Sequence, residues 1–190
     1  MEIPYSGRAK ITDTVRGFSI EIPSKRNWLI IIFLTAWLGG WMIGEWAALG
    51  TLTGFLTDSN MNTGSIFILI WLIAWTAGGF LALRTWLWMV AGKEIISFDN
   101  YELSINKKGA LLYSPKVYDL REVKNFDLNP TTSSDNPFGM NSNRGIWNLG
   151  NNGMLKFDYG LKTIKIAAGI DEAEGRYLLE IIREKNLLKK

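Results

Sequence analysis

The amino-acid sequence predicts an α+β membrane protein, in which a two-helix transmembrane hairpin precedes a small β-barrel closed by a C-terminal amphipathic helix. Three observations carry this. Of the nine tryptophans in 190 residues, eight fall between Trp28 and Trp88, whereas thirteen of the eighteen acidic and fifteen of the twenty-one basic residues follow Gly92. Two long apolar runs occupy the tryptophan-rich part, and short alternating segments replace them afterwards. The mean hydropathy of +0.05 is thus an average over two environments. The chain divides into an N-terminal arm (residues 1–26), the hairpin (27–92) and a β-domain (93–190).

In the arm, Phe18, Ile20 and Ile22 alternate with Ser19 and Glu21, the period of a half-buried strand, and Pro23 stops it. An amphipathic strand needs a partner, so the arm is expected to dock on the β-domain. A hydrophobic run that starts only at Trp28 is too distant for a secretory signal, so the arm is expected to be retained.

The first span, residues 28–49, carries no charge before Glu45, and the second, 65–90, none before Arg84. A bilayer core of roughly 30 Å needs about 20 apolar residues in a helix, and each run supplies them. TDSNMNTG between them favours a turn. Lys25 and Arg26 precede the first span, Arg84 and Lys93 close the second, and the connection has no basic residue. Both termini are therefore expected in the cytoplasm, with the chain crossing the inner (cytoplasmic) membrane twice. Trp28, Trp86 and Trp88 join these four basic residues as expected interface anchors.

Deeper in the spans, Trp37 and Trp41, like Trp71 and Trp75, share a helix face at a spacing of four. Gly39–Gly40 and Gly78–Gly79 offer notches for close helix approach, and Gly40 with Gly44 forms a weak GxxxG pattern. Glu45 is the candidate intramembrane polar site, since a charge in hydrocarbon costs at least about 2.5–3.5 kcal/mol. Its distance from Trp28, about 25 Å at 1.5 Å per residue, puts it near the outer headgroups, and Arg84 falls near the inner ones. The two are expected to snorkel to opposite interfaces.

After Gly92, Tyr101, Leu103 and Ile105 alternate with polar residues before a Lys-Lys-Gly turn. ALLYSPKVYDL, VKNFDL, GMLKFDYG and KTIKIAAG supply further strands, with Ile146–Trp147 a short one. Residues 129–153, rich in Asn, Ser and Gly, form a long loop, of which Asn136, Phe138, Arg144 and Trp147 are candidate partner contacts. In DEAEGRYLLEIIREKNLLKK, Asp171 is an N-cap with Glu174 three positions on, and Ala173, Tyr177, Leu178, Ile181 and Ile182 make one apolar stripe.

In WLWMVAGKEIISF, YELSI, KVYDLREVKNFDL, GMLKFDYGLKTIKIAAG and IDEAEGRYLLEII the chain resembles the bacterial pleckstrin-homology-like (PH-like) membrane proteins. The resemblance rests on pattern and order from Trp28 onward. It implies a PH-like barrel binding protein or lipid headgroups, and no catalytic signature lies among these residues. The polar stretch 129–153 departs from it.

The chain has no histidine and no cysteine. Cys/His zinc sites, thiolate nucleophiles and histidine acid–base catalysis are thereby excluded. No Ser/Lys pair, phosphate loop or dinucleotide fingerprint stands out, so neither catalysis nor a cofactor is expected. The net charge of +3 is scattered, which argues against nucleic acid and for contact with anionic lipid headgroups. Other membrane-protein subunits or a homo-oligomer are the remaining expected partners. The sequence thus suggests a non-catalytic anchored interaction module, with a component of an oligomeric transporter or channel as the alternative.

Overall fold

The computed structural model describes residues 7–57, 63–129 and 153–185. They form two compact units, the helical segment Arg26–Val90 and a sheet unit made of the N-terminal arm with Ala91–Lys190.

In the helical unit, α1 (Trp28–Thr57) and α2 (Thr63–Ala91) are each longer than the apolar run that predicts them. Asn27 opens α1, its Oδ1 accepting from the Ile30 N–H. Both helices are long and apolar enough to cross a membrane, and almost none of either apolar window is buried. A core helix of a soluble protein would hide such a surface. The polar hydroxyls do not interrupt the helices, because Thr35, Thr51 and Thr85 each donate back to the carbonyl four residues earlier.

The sheet unit contains β1 (Lys10–Thr14), β2 (Gly17–Pro23), β3 (Lys93–Asp99), β4 (Glu102–Lys108), β5 (Lys116–Asp119), β6 (Val123–Leu128), β7 (Gly153–Tyr159), β8 (Lys162–Ala168) and α3 (Glu172–Glu184). The strand expected at Phe18–Ile22 is the centre of β2, and β2 lies between β1 and β3. Phe18 pairs with Phe98 and Ile20 with Ile96, which places the buried faces of both strands together. β1 escapes the sequence pattern because nearly all of KITDT is exposed. The expected strands on either side of residues 129–153 are β6 and β7; Ile146–Trp147 lies outside the described residues.

The expected barrel is not formed. The strands make two open antiparallel sheets, β1-β2-β3-β4-β5 and β6-β7-β8. β5 is only four residues long, and the chain then turns, Glu122 donating to the Asp119 carbonyl. In β6, Asn125 sits at φ 51 and the register shifts between Lys124 and Asp127. An irregular strand bends away from a continuous ladder, so side chains join the sheets where hydrogen bonds do not. Phe98 of β3 meets Phe126 of β6, and Phe126 stacks on Phe157 of β7. One apolar core runs through both sheets and α3.

α3 starts as expected, with the Asp171 side chain accepting from the Glu174 N–H. Its buried face differs from the predicted stripe: Glu174, Gly175, Leu178, Leu179 and Ile182 turn inward, and Ala173 is exposed. Gly175 explains the rotation. A Cβ there would stand 2.5 Å from Met154 Cγ, so the helix rests on its glycine, a contact that counting apolar side chains misses.

Candidate functional site

Three places in the molecule carry polar chemistry out of keeping with their surroundings, one inside the helical hairpin and two at opposite ends of the sheet unit.

In the hairpin, tryptophan does the packing. The Trp41 indole lies over Gly79, where a Cβ would come within 1.9 Å of its ring, and its Nε1 donates to the Trp75 carbonyl at 3.2 Å. Trp75 stacks on Trp71 at 5.0 Å and touches Trp37 at 6.2 Å. Gly39, Gly40 and Gly78 have no neighbouring atom within 4 Å of a built Cβ. Gly44 lies against the Trp75 ring, whose Cζ2 would be 3.5 Å from a Cβ there, so the contacts are glycine to tryptophan and the glycine pairs do not meet each other.

Glu45 lies beside this seam, its Oε1 accepting from Thr76 Oγ1 at 2.6 Å. Thr76 is thirteen residues from the start of α2 and fifteen from its end. The carboxyl therefore sits half-way along the second helix, about 20 Å from either end at 1.5 Å per residue. Glu45 Oε2 and Trp75 Nε1 are buried with no hydrogen-bond partner among the described residues. Arg84 forms no ion pair with Glu45 among those residues, and its Nε is likewise unpartnered. Of the other expected anchors in this unit, Trp28 and Arg26 are exposed, Trp86 donates through Nε1 to Thr35 Oγ1 at 2.8 Å, and Trp88 is buried. The Trp86 N–H is thus satisfied by the hairpin.

The sheet unit has two distinct ends, about 20 Å apart along the six steps of β3 at roughly 3.3 Å each. At the near end both connections to the helices leave side by side, since Pro23 pairs with Lys93 and the Ser24 N–H donates to the Gly92 carbonyl at 2.9 Å. Arg8 ties this end together, donating to the carbonyls of Gly169 and Ser24 at 2.9 and 2.8 Å. Glu174, which could have reached back to its own helix terminus, instead accepts from the Ala9 N–H at 2.6 Å. Of the expected anchors here, Lys93 pairs with Glu21 at 2.9 Å and Lys25 is exposed. Towards the other end of these strands, beside the β1–β2 turn, Lys185 pairs with Asp13 and lies over the Phe18 ring.

No protein-family model, curated protein or solved structure matches this chain.

Sequence reasoning missed Glu94. It faces the core in phase with Ile96 and Phe98, only 1% exposed, and its Oε2 accepts from the Ala168 N–H at 2.9 Å. The signal was present in the period-two alternation, which assigns Glu94 to the buried face. Burial holds its carboxyl above the usual carboxylate range, and the attraction of Lys107 and the N–H groups of Ala168 and Ala167 oppose this without cancelling it. Lys107, the cross-strand partner, is pushed down by its own burial, which outweighs Glu94. Burial first, and then Glu94, raise the nearby Tyr113 to about 12. A carboxyl whose folded pKa is raised stabilises the fold below its ordinary value of 4.5, and that contribution is lost as pH rises through the raised value. The melting temperature of the protein relative to its Glu94→Gln variant is therefore expected to fall as pH rises from acid towards neutral. A difference that is flat or grows with pH would show that the carboxyl is not destabilised by burial.

At the far end, the turns after β1, β3 and β7 expose Val15, Tyr101 and Leu161. The Tyr118 and Tyr159 rings, 5.0 Å apart, hold the two sheets side by side there. Arg121 grips Asp119 with both Nε and Nη2, and these bonds with the Arg121 N–H pull that carboxyl down to about 2. Among the described residues no three acidic side chains converge where a metal ion could be held. Asn136, Phe138, Arg144 and Trp147 lie outside the described residues.

Proposed function

We propose that the chain is a non-catalytic, membrane-anchored interaction module: the hairpin crosses the inner membrane with both termini in the cytoplasm, and the sheet unit, a variant of the PH-like arrangement, holds a partner protein as an accessory subunit of a larger membrane complex. The observation that carries this is the polarity of the sheet unit. Both chain connections to the apolar helices leave from one end, through Ser24 and Gly92, and three hydrophobic hairpin tips stand exposed at the other. Exposed apolar tips at the end remote from an anchor are suited to holding something. The Lys/Arg asymmetry of the flanks supports the orientation.

The second reading, a component of an oligomeric transporter or channel, is favoured by one observation, the position of Glu45 beside the middle of α2 with one oxygen unpartnered. Recovery of co-purifying membrane proteins from mild detergent separates the two. For the module, Val15→Asp with Leu161→Asp is expected to lose the partner, and Glu45→Gln to keep it with no change in ion flux. If Glu45→Gln abolishes flux in an intact complex while the tip variants retain every subunit, the transport reading replaces the first.

A further inference from the structure

The segment joining β4 to β5 reads KKGALLYSPK. Its backbone folds back through bonds from the Ala110 N–H to the Lys107 carbonyl and from the Tyr113 N–H to the Ala110 carbonyl. At the tip, Leu112 is held at φ 59, a left-handed conformation that a leucine seldom adopts, and it is 82% exposed. The loop thus presents a large apolar side chain outward against both its backbone preference and its hydrophobicity.

Its position is fixed by Gly109. A Cβ there would stand 2.9 Å from the Ala91 carbonyl oxygen and 3.0 Å from Gly92 Cα, so the loop lies against the residues at which the apolar helical sequence gives way to β3. Its charges are of one sign, Lys107, Lys108 and Lys116, and Lys108 pairs across the ladder with Lys93. At the same end Glu94 is buried and Glu21 is already bonded to Lys93. The exposed tips at the opposite end differ in carrying mixed charge. Around Val15, Tyr101 and Leu161 stand Asp99, Glu102, Asp119, Glu122 and Asp158 together with Arg16, Arg121, Lys124 and Lys162. Exposed leucine among lysines, beside the exit from an apolar helix, occurs only in the β4–β5 loop among the described residues.

We infer that this loop docks on an anionic lipid surface, Leu112 entering the interface while Lys108 and Lys116 meet the headgroups. The inference rests on the proposed crossing of the membrane by α1 and α2. A single buried leucine binds a membrane weakly, and so does a short basic cluster, but the two together act as a pair of signals. Each lysine near an anionic surface shifts such an equilibrium by about fivefold.

The absence of cysteine from the chain allows clean single-site labelling. The full-length protein, with an environment-sensitive fluorophore on Leu112→Cys, Leu161→Cys or Ile43→Cys, is placed in vesicles of phosphatidylcholine alone or mixed with phosphatidylglycerol. Quenching is read with a lipid-borne nitroxide and with aqueous iodide. Position 43 is expected to be lipid-quenched in both mixtures and position 161 in neither. Position 112 is expected to be lipid-quenched and iodide-shielded in the anionic mixture. Combining Lys108→Glu with Lys116→Glu is expected to return it to its state in the neutral mixture. If position 43 is lipid-quenched but position 112 behaves like 161, the docking is overturned and the membrane crossing stands. Quenching at 112 that ignores lipid charge also overturns it, as does shielding that follows the protein-to-lipid ratio, which would make a second copy the occupant. If position 43 is not lipid-quenched, the crossing fails first and the docking with it.

Discussion

Replacing Phe98 by alanine is expected to destabilise the sheet unit by about 3–5 kcal/mol, the usual cost of emptying a buried phenylalanine site. The ring is 1% exposed, stacks on Phe18 at 4.8 Å and reaches Phe126 at 6.4 Å. It thereby joins β2 and β3 of the first sheet to the second sheet, with which they share no ladder. Against a total stability of about 5–15 kcal/mol for a typical domain, such a loss is a large share. The measurement is amide hydrogen exchange on the full-length protein. Protection should fall together in β2, β3, β6 and β7 while α1 and α2 keep theirs, and Leu112→Ala should change little. If only β3 loosens, the two sheets do not share a core.

Gly78→Ala and Gly79→Ala, adjacent substitutions of the same chemistry, are expected to have opposite signs. At position 78 a Cβ meets nothing within 4 Å, and exchanging a helical glycine for alanine gains about 0.8–1 kcal/mol. At position 79 the new methyl would overlap the Trp41 ring, so the indole must leave and its bond to the Trp75 carbonyl goes with it. Overpacking of this kind costs about 1–3 kcal/mol, with roughly 0.6 kcal/mol more for an interhelical hydrogen bond in lipid. Detergent-driven unfolding followed by tryptophan fluorescence reads the hairpin, since eight of the nine tryptophans lie in it. Trp41→Ala should suppress the Gly79→Ala defect. Additive losses in the double variant would mean that the two residues do not touch.

The sequence made the helices and most strands legible because their patterns are strong: two long apolar runs, and alternation at Phe18–Ile22 and Tyr101–Ile105. It could not show whether the sheet closes. That depends on local backbone events, the turn after Asp119 and the shifted register beyond Lys124, which hydrophobic period does not record. β1 was invisible because a solvent-facing edge strand has no apolar phase to detect. In the candidate sites, Glu45 was visible as a charge in an apolar run, but its hydrogen-bond partner was not. Thr76 belongs to the other helix, and only the pairing of α1 with α2 brings the two together. Glu94 was hidden by its residue type. A glutamate is assigned to solvent by default, and only its phase with Ile96 and Phe98 places it inside.

The pairing of β2 with β3 has a consequence for how the molecule is built. These neighbouring strands are separated in sequence by both helices, so the arm leaves the ribosome early and waits for its partner until the hairpin has been made. Closing the ladder requires the chain to return to the side it left. If α1 and α2 cross the membrane as proposed, a product that inserts one helix alone strands β2 and β3 on opposite faces of the bilayer, with Phe18, Ile20 and Ile22 uncovered. Under the proposed crossing, the sheet would act as a proofreading step on insertion, since only an even number of crossings lets it fold.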